Sequence, residues 1–206
     1  MKFKWIFLFF LLGLPVSVYL FLQGFGANKF EVPVFYQDGV KSPISDCQFG
    51  SGQYKVPVLS GFDSTLRLNP SKFTIIDIGS PNCDSCQYKI NNLISILDKF
   101  RNWDELRITS ILQKGSFELY SNSNKNWDLI TSTKLDFQEL ANCVLNFGLE
   151  VDQNGNVLRN GIVVLLDDLR RIRGYYNIFD QEEADRLAVE LEILKQNQQI
   201  RENGVK

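Results

Sequence analysis

Runs of apolar residues alternate with polar segments along this chain and predict an α/β fold. Residues 73–78 (FTIIDI) form a β-branched run that is typical of a buried strand. A helix follows, because apolar residues recur at intervals of three and four residues and so share one helical face. The residues of this face are Cys86, Ile90, Leu93, Leu97 and Phe100.

Two more helices are predicted further along. The first begins at Asp136, with Glu139 as the partner of a capping box, and buries Phe137, Leu140, Val144 and Phe147. The last begins near Asp180 with Glu183 as its capping partner, and its polar tail from Gln196 is expected to fray.

The remaining apolar runs are too short for helices and predict strands. The longer ones cover residues 106–112 (LRITSIL), 162–166 (IVVLL) and 171–176 (RIRGYY), and two short ones cover 54–59 and 65–68. From residue 73 onward the predicted order is strand, helix, strand, helix, strand, strand, helix. This order predicts a three-layer α/β arrangement with a mixed sheet.

The N-terminal segment has the composition of a membrane anchor. Residues 5–22 (WIFLFFLLGLPVSVYLFL) carry no charge, and a spanning helix needs roughly 20 mostly apolar residues. Lys2 and Lys4 precede this segment, which places the N-terminus in the cytoplasm. The alternative is a cleaved signal peptide, for which residues 24–26 (GFG) offer a weak cleavage site. Both interpretations export the rest of the chain to a compartment where disulfides persist.

These patterns divide the chain into four parts. Residues 1–24 are the predicted anchor, and residues 25–53 are a polar tether and lead-in. Residues 54–200 form one predicted α/β domain, followed by a tail at 201–206. About 180 residues beyond the anchor suffice for one well-buried core.

Composition removes several classes of chemistry. The 206 residues include no histidine, which excludes catalytic triads that need an imidazole and metal sites that need histidine ligands. The formal net charge is −2, so nothing in the charge balance points to a nucleic-acid partner.

Two cysteines carry the sharpest chemical signal. Cys83 and Cys86 are separated by two residues and lie between a predicted buried strand and a predicted amphipathic helix. The positive end of a helix dipole favours a thiolate on the first cysteine. The second cysteine can then resolve a mixed disulfide by intramolecular attack. We therefore predict a redox-active pair.

Other uses of the cysteines stay open from the sequence. A structural Cys83–Cys86 disulfide would close too short a loop to stabilise the chain much, and Asp84 opposes thiolate formation. A zinc site would need further ligands from Cys47, Cys143 or a carboxylate. Cys143 is best interpreted as a small buried apolar residue. Cys47 could pair with Cys143, stay free or bridge to another chain.

Two polar segments are predicted to form connections between strands rather than binding or catalytic sites. Residues 152–156 (DQNGN) begin like a calcium loop, but their glycine comes too early and the pattern favours a hairpin turn. A charged stretch between the last two strands is predicted to be a solvated connection. It contains Asp167, Asp168, Arg170, Arg171 and Arg173.

The chain resembles the Sco/SenC family, whose members are membrane-tethered, thioredoxin-like proteins of cytochrome oxidase copper-site assembly. The resemblance follows an apolar N-terminal span and extends over nearly the whole chain. Its segments are residues 25–40 (FGANKFEVPVFYQDGV), 73–83 (FTIIDIGSPNC), 127–131 (WDLIT), 165–177 (LLDDLRRIRGYYN) and 182–187 (EEADRL).

The resemblance implies a thioredoxin-like fold and a function. It implies a membrane-tethered thiol–disulfide oxidoreductase with Cys83 as the attacking and Cys86 as the resolving thiol. Its soluble domain would lie in the periplasm, held by a single span in a bacterial inner membrane. The implied partner is a protein thiol or disulfide, such as a cysteine pair of a respiratory oxidase subunit.

The sequence departs from the family at its copper site. That site uses two cysteines separated by three residues and a distant histidine, whereas this chain has two intervening residues and Arg159 or Asn160 at the histidine position. Cys83 and Cys86 alone could still hold Cu(I), which accepts two thiolates. A Cu(I) metallochaperone is therefore one alternative function, and a partner-binding member without chemistry is another. Thioredoxin-like oxidoreductases have a cis-proline at a position that falls near Asn160 and Gly161 here, and the last proline of this sequence is Pro81.

Overall fold

The structure, a computed structural model, describes residues 11–21, 31–41, 47, 49–57, 73–79, 85–113, 125–132, 137–149, 152–153 and 161–204. The chain divides into two compact units, residues 1–31 and 32–206. In the first unit, residues 11–21 are helical and largely exposed. Among the described residues, no helix combines the length and hydropathy that a bilayer crossing requires. Residues 5–10 and 22 of the predicted anchor lie outside the described residues.

The described part of the second unit contains one mixed sheet of five strands. They are β1 (Phe73–Gly79), β2 (Leu106–Gln113), β3 (Trp127–Ser132), β4 (Ile162–Leu166) and β5 (Ile172–Asn177). Their order across the sheet is β3-β2-β1-β4-β5. The first three strands are parallel, while β4 and β5 are antiparallel to their neighbours. The predicted mixed sheet is confirmed, and β3 is a strand that the sequence pattern missed.

Helices cover both faces of this sheet. Helix α1 (Cys86–Lys99) and helix α3 (Gln181–Gly204) pack on one face, where β1 contributes Phe73 and Ile75. On the other face, Ile76 and Ile78 pack against a short helix α2 (residues 137–144). Because alternate strand residues point to opposite faces, the buried strand β1 contributes to both cores.

Helix α2 has an irregular second half. An α-helical turn, Phe137–Glu139, continues into a π-helical segment, Leu140–Val144. The backbone N–H of Leu145 donates to the carbonyl of Leu140 at 3.0 Å, which is the wider π-type spacing. Phe137, Leu140, Val144 and Phe147 are buried, as their spacing predicted.

The last helix is longer than the sequence predicted. Asp180 caps its N-terminus, where its carboxylate accepts a hydrogen bond from the backbone N–H of Glu182 at 2.9 Å. The tail from Gln196 was expected to fray, whereas α3 is helical through Gly204. The indole N–H of Trp103 donates to the side chain of Gln198 at 3.0 Å, which ties this extension to the turn after α1.

The lead-in, at Phe35, and the segment that follows it, at Val56, lie beside the last strand of the sheet. The backbone N–H of Phe35 donates to the carbonyl of Ile172 at 2.9 Å, and that of Val56 donates to Arg170 at 2.9 Å. Residues 54–57 contain no assigned strand, and 58–68 lie outside the described residues, so most of the two short predicted strands is not described. These contacts cover part of the β5 edge, which would otherwise expose unpaired backbone groups.

A disulfide fastens the lead-in to helix α2. Cys47 and Cys143 are bonded, with Cα atoms 5.3 Å apart and a sequence separation of 96 residues. The phenol of Tyr54 donates to the carbonyl of Val144 at 2.7 Å, and burial raises the pKa of Tyr54 to about 12. The interpretation of Cys143 as a small buried apolar residue is wrong, because the residue is only partly buried and is bonded to Cys47.

Candidate functional site

Cys86 begins helix α1 at the edge of the sheet where β1 ends. Its side chain is only 1% exposed, and its sulfur is disulfide-bonded. Cys83, the other cysteine of the predicted pair, lies outside the described residues. Parallel strands β1, β2 and β3 all have their C-terminal ends at this edge. The helix N-terminus provides partial positive charge there, which favours a thiolate when the disulfide is reduced.

A buried ion pair lies beside the first turns of this helix. The Lys89 ammonium donates to the Asp77 carboxylate at 2.7 Å and to the carbonyl of Ile78 at 3.1 Å. The Lys89 and Asp77 side chains are 1% and 0% exposed. The pair joins α1 to the end of β1, and these two elements flank the segment that carries Cys83.

Hydrogen bonds extend the pair across two more strands. The hydroxyl of Ser110 on β2 donates to the second carboxylate oxygen of Asp77 at 2.9 Å. The indole N–H of Trp127 on β3 donates to that hydroxyl at 3.0 Å. Both carboxylate oxygens of Asp77 therefore accept a hydrogen bond, as a buried carboxylate requires.

This network was not predicted, although the sequence contains two signals for it. Asp77 interrupts the apolar run of β1, and its position alternates with Phe73 and Ile75 on the α1 side of the sheet. Lys89 lies three residues after Cys86, on the apolar face of the helix rather than on its solvent face. A charged residue in each of two facing apolar patterns is the signature of a buried pair.

Gly161 lies at the same end of the sheet as Cys86. Gly161 directly precedes β4. Val163 of β4 pairs with Asp77 of β1, and two residues further along this antiparallel register Gly161 comes opposite Gly79. A Cβ atom at Gly161 would lie 2.3 Å from the ring of Phe179. The close approach of this ring explains why the position has no side chain.

The charged connection between β4 and β5 differs from its prediction. Asp167 was expected to be solvated but is buried, and it accepts hydrogen bonds from the side chains of Arg171 at 2.7 Å and Arg173 at 3.3 Å. Arg173 is also buried and donates to the carbonyl of Val32, and this burial lowers its pKa. The cluster fastens the lead-in to the sheet and has a structural role.

The remaining candidates add no second site. Cys47 and Cys143 are bonded to each other, so neither offers a thiolate to zinc in this state. Within the described residues, no group of three or more cysteines and carboxylates is placed to hold a metal ion. Of the segment 152–156, only 152–153 are described, so its predicted hairpin turn stays a prediction.

No protein-family model and no curated protein sequence matches this chain. Among solved structures, a SCO1/SenC family lipoprotein from Bacillus anthracis aligns with a TM-score of 0.53 at 13% identity, over 76% of this chain and 99% of that protein. The chain has the fold of the Sco/SenC proteins.

A second structure agrees with this assignment. BsSco, described as a Sco-family cytochrome c oxidase assembly protein with a disulfide switch, aligns with a TM-score of 0.52 at 15% identity. The alignment covers 74% of this chain and 95% of BsSco. The family resemblance seen in the sequence and the predicted thioredoxin-like α/β fold are thereby confirmed at the level of the fold.

Proposed function

We propose that this protein is a membrane-tethered, extracytoplasmic thiol–disulfide oxidoreductase of the Sco/SenC type, with Cys83 and Cys86 as its redox pair. The observation that supports this function most directly is that Cys86 is disulfide-bonded at the N-terminus of α1, beside the end of the buried strand β1. In a thioredoxin-like fold this strand-to-helix turn is the place where a cysteine pair can meet a partner protein.

The proposed exchange runs through one mixed disulfide. The Cys83 thiolate attacks one sulfur of a partner disulfide, so that a new S–S bond forms and the partner's other sulfur leaves as a thiolate. The Cys86 thiolate then attacks the Cys83 sulfur and releases the partner's second thiolate. Two electrons pass to the partner, whose disulfide is reduced while a Cys83–Cys86 disulfide forms. The same steps in reverse oxidise a partner dithiol.

The location and the partner belong to the same proposal. The uncharged segment 5–22, preceded by Lys2 and Lys4, supports a single span in a bacterial inner membrane with the folded domain in the periplasm. The likeness to BsSco, a cytochrome c oxidase assembly protein, supports a cysteine pair of a respiratory oxidase subunit as the partner.

Trapping of mixed disulfides tests the exchange. The full-length chain in detergent is reduced and mixed with a peptide that carries a two-cysteine disulfide. Samples are quenched over time, the peptide is separated from the protein, and the free thiols of the peptide are counted. We expect Cys83→Ser to abolish exchange and Cys86→Ser to accumulate a mixed disulfide with the peptide. The Cys47→Ser/Cys143→Ser variant is the matched control and keeps the activity. Full activity in the Cys83→Ser protein would contradict the proposal.

Cu(I) delivery is the second candidate, because two thiolates are ligands that Cu(I) prefers and the chain has the Sco/SenC fold. In this function the copper ion is cargo, held by Cys83 and Cys86 after reduction of their sulfurs. A competition titration of the reduced full-length chain against a calibrated Cu(I) chelator tests it, with Cys83→Ser as the control. Binding at one ion per chain that is lost in the control supports copper delivery, and equal binding by both proteins contradicts it.

A further inference from the structure

In the buried pair Asp77–Lys89, the lysine lies three residues after Cys86 on helix α1. Residues three apart on a helix are neighbours on one face, so Cys86 and Lys89 occupy adjacent turns of α1. Helical side chains lean toward the N-terminus, and the Lys89 ammonium indeed reaches back to the Ile78 carbonyl at the end of β1. The positive charge is therefore held on the side of the helix where Cys86 lies.

Stability alone is a poor reason for this pair. Taking two charges out of water costs about as much as their attraction returns, and apolar replacements of buried pairs are often neutral or stabilising. Nearly every other buried residue on the α1 face of the sheet is apolar. A fully buried charged pair whose lysine lies one helical turn after Cys86 is placed to act on the chemistry of that cysteine.

Reduction of the disulfide changes the charge next to this pair. A dithiol donates two electrons, the S–S bond breaks, and each sulfur either takes up a proton or remains a thiolate. In a low-dielectric surrounding, a nearby ammonium stabilises a thiolate and a nearby carboxylate destabilises it. With both charges present, the two effects oppose each other.

We propose that Asp77 and Lys89 are positioning residues whose balanced charges set the reduction equilibrium of the Cys86 disulfide. Lys89 favours the reduced state, and Asp77 favours the disulfide. Ser110 and Trp127 hold the Asp77 carboxylate in place through their hydrogen bonds. This inference rests on the proposed function in so far as the disulfide is taken to be redox-active, and it concerns how that function is tuned.

The test measures the disulfide equilibrium in three variants. The full-length protein in detergent is equilibrated with buffers of reduced and oxidised dithiothreitol and alkylated, and the oxidised fraction of Cys86 is read by peptide mass spectrometry. We expect Lys89→Met to shift the equilibrium at least tenfold toward the disulfide and Asp77→Asn at least tenfold toward the dithiol. A tenfold change corresponds to about 30 mV for this two-electron couple. The double variant returns to within threefold of the unchanged protein.

The direction of the shift in each single variant separates an electrostatic role of the pair from a purely structural one. Loosened packing would shift both single variants in the same direction, and that result, or shifts below threefold in both, would overturn the inference. Lys99→Met removes an exposed charge from the far end of the same helix and serves as the control, with no shift expected. If Lys89→Met does not fold, the remaining two variants still test the inference. The equilibrium of Asp77→Asn must shift at least tenfold toward the dithiol, and that of the double variant must stay within threefold of the unchanged protein.

The equilibrium with dithiothreitol needs no protein partner. Opposite shifts without exchange on a partner disulfide would support the inference and contradict the proposed oxidoreductase. Exchange on the partner disulfide, with no shift of the dithiothreitol equilibrium in the variants, would support the proposed oxidoreductase and contradict the inference.

Discussion

Replacing both Cys47 and Cys143 by alanine lowers the free energy of unfolding by about 4–5 kcal/mol. The bond closes a loop between residues 96 positions apart, and a cross-link over such a length removes much conformational entropy from the unfolded chain. It also fixes the lead-in against helix α2. Urea denaturation of the full-length protein, followed by circular dichroism, measures the change.

The second cysteine pair provides the matched control. Cys83→Ala/Cys86→Ala removes the proposed redox disulfide, which would span only two intervening residues, so its entropic contribution is about 2 kcal/mol or less. An unchanged urea midpoint in the Cys47→Ala/Cys143→Ala protein would show that the lead-in is held by its hydrogen bonds alone. Those bonds include Tyr54 to Val144 and Arg173 to Val32.

Removing one partner of the Asp77–Lys89 pair lowers the free energy of unfolding by about 3–5 kcal/mol. Either single change leaves a charge buried without its counter-ion, because both side chains are excluded from water. Asp77→Asn and Lys89→Met together leave no such charge, so we expect the double variant to lose less stability than either single variant. Urea denaturation with the disulfides intact gives the three values.

An exposed ion pair of the same type is the control for this cycle. Lys125 and Asp104 lie 2.9 Å apart, and their side chains are 73% and 71% exposed. Because water screens this pair, Lys125→Met changes the stability by less than about 1 kcal/mol. Additive losses in the Asp77 and Lys89 variants would contradict the coupling that their contact predicts.

The central strands and the main helices could be predicted because each carries its own periodic pattern. The predicted strand at 162–166 matches β4, and the predicted strand at 106–112 differs from β2 by one residue. Helix α1 has the apolar face that its spacing required, with Ile90, Leu93 and Leu97 buried. In these elements, burial of a local pattern determines the local structure.

Strand β3 escaped prediction because its pattern is weak. Residues 127–132 (WDLITS) are short, lie at the edge of the described sheet and are only partly buried from Asp128 to Ile130. Pairing with β2 defines this strand, and Asp128 adds a two-bond contact to Arg107 with distances of 2.8 and 2.5 Å. Such cross-strand contacts are invisible in a sequence read alone.

By itself, the sequence determined the order of the elements other than β3, the buried faces of the main helices and the placement of Cys86 at the start of a helix that follows a buried strand. These features depend on residues within one turn or one strand of each other. Only the tertiary structure decided that Cys47 is bonded to Cys143 and that Lys89 meets Asp77. Partners 96 and 12 residues apart are chosen by the way strands and helices pack, because the free energy of a contact depends on three-dimensional proximity and not on spacing along the chain.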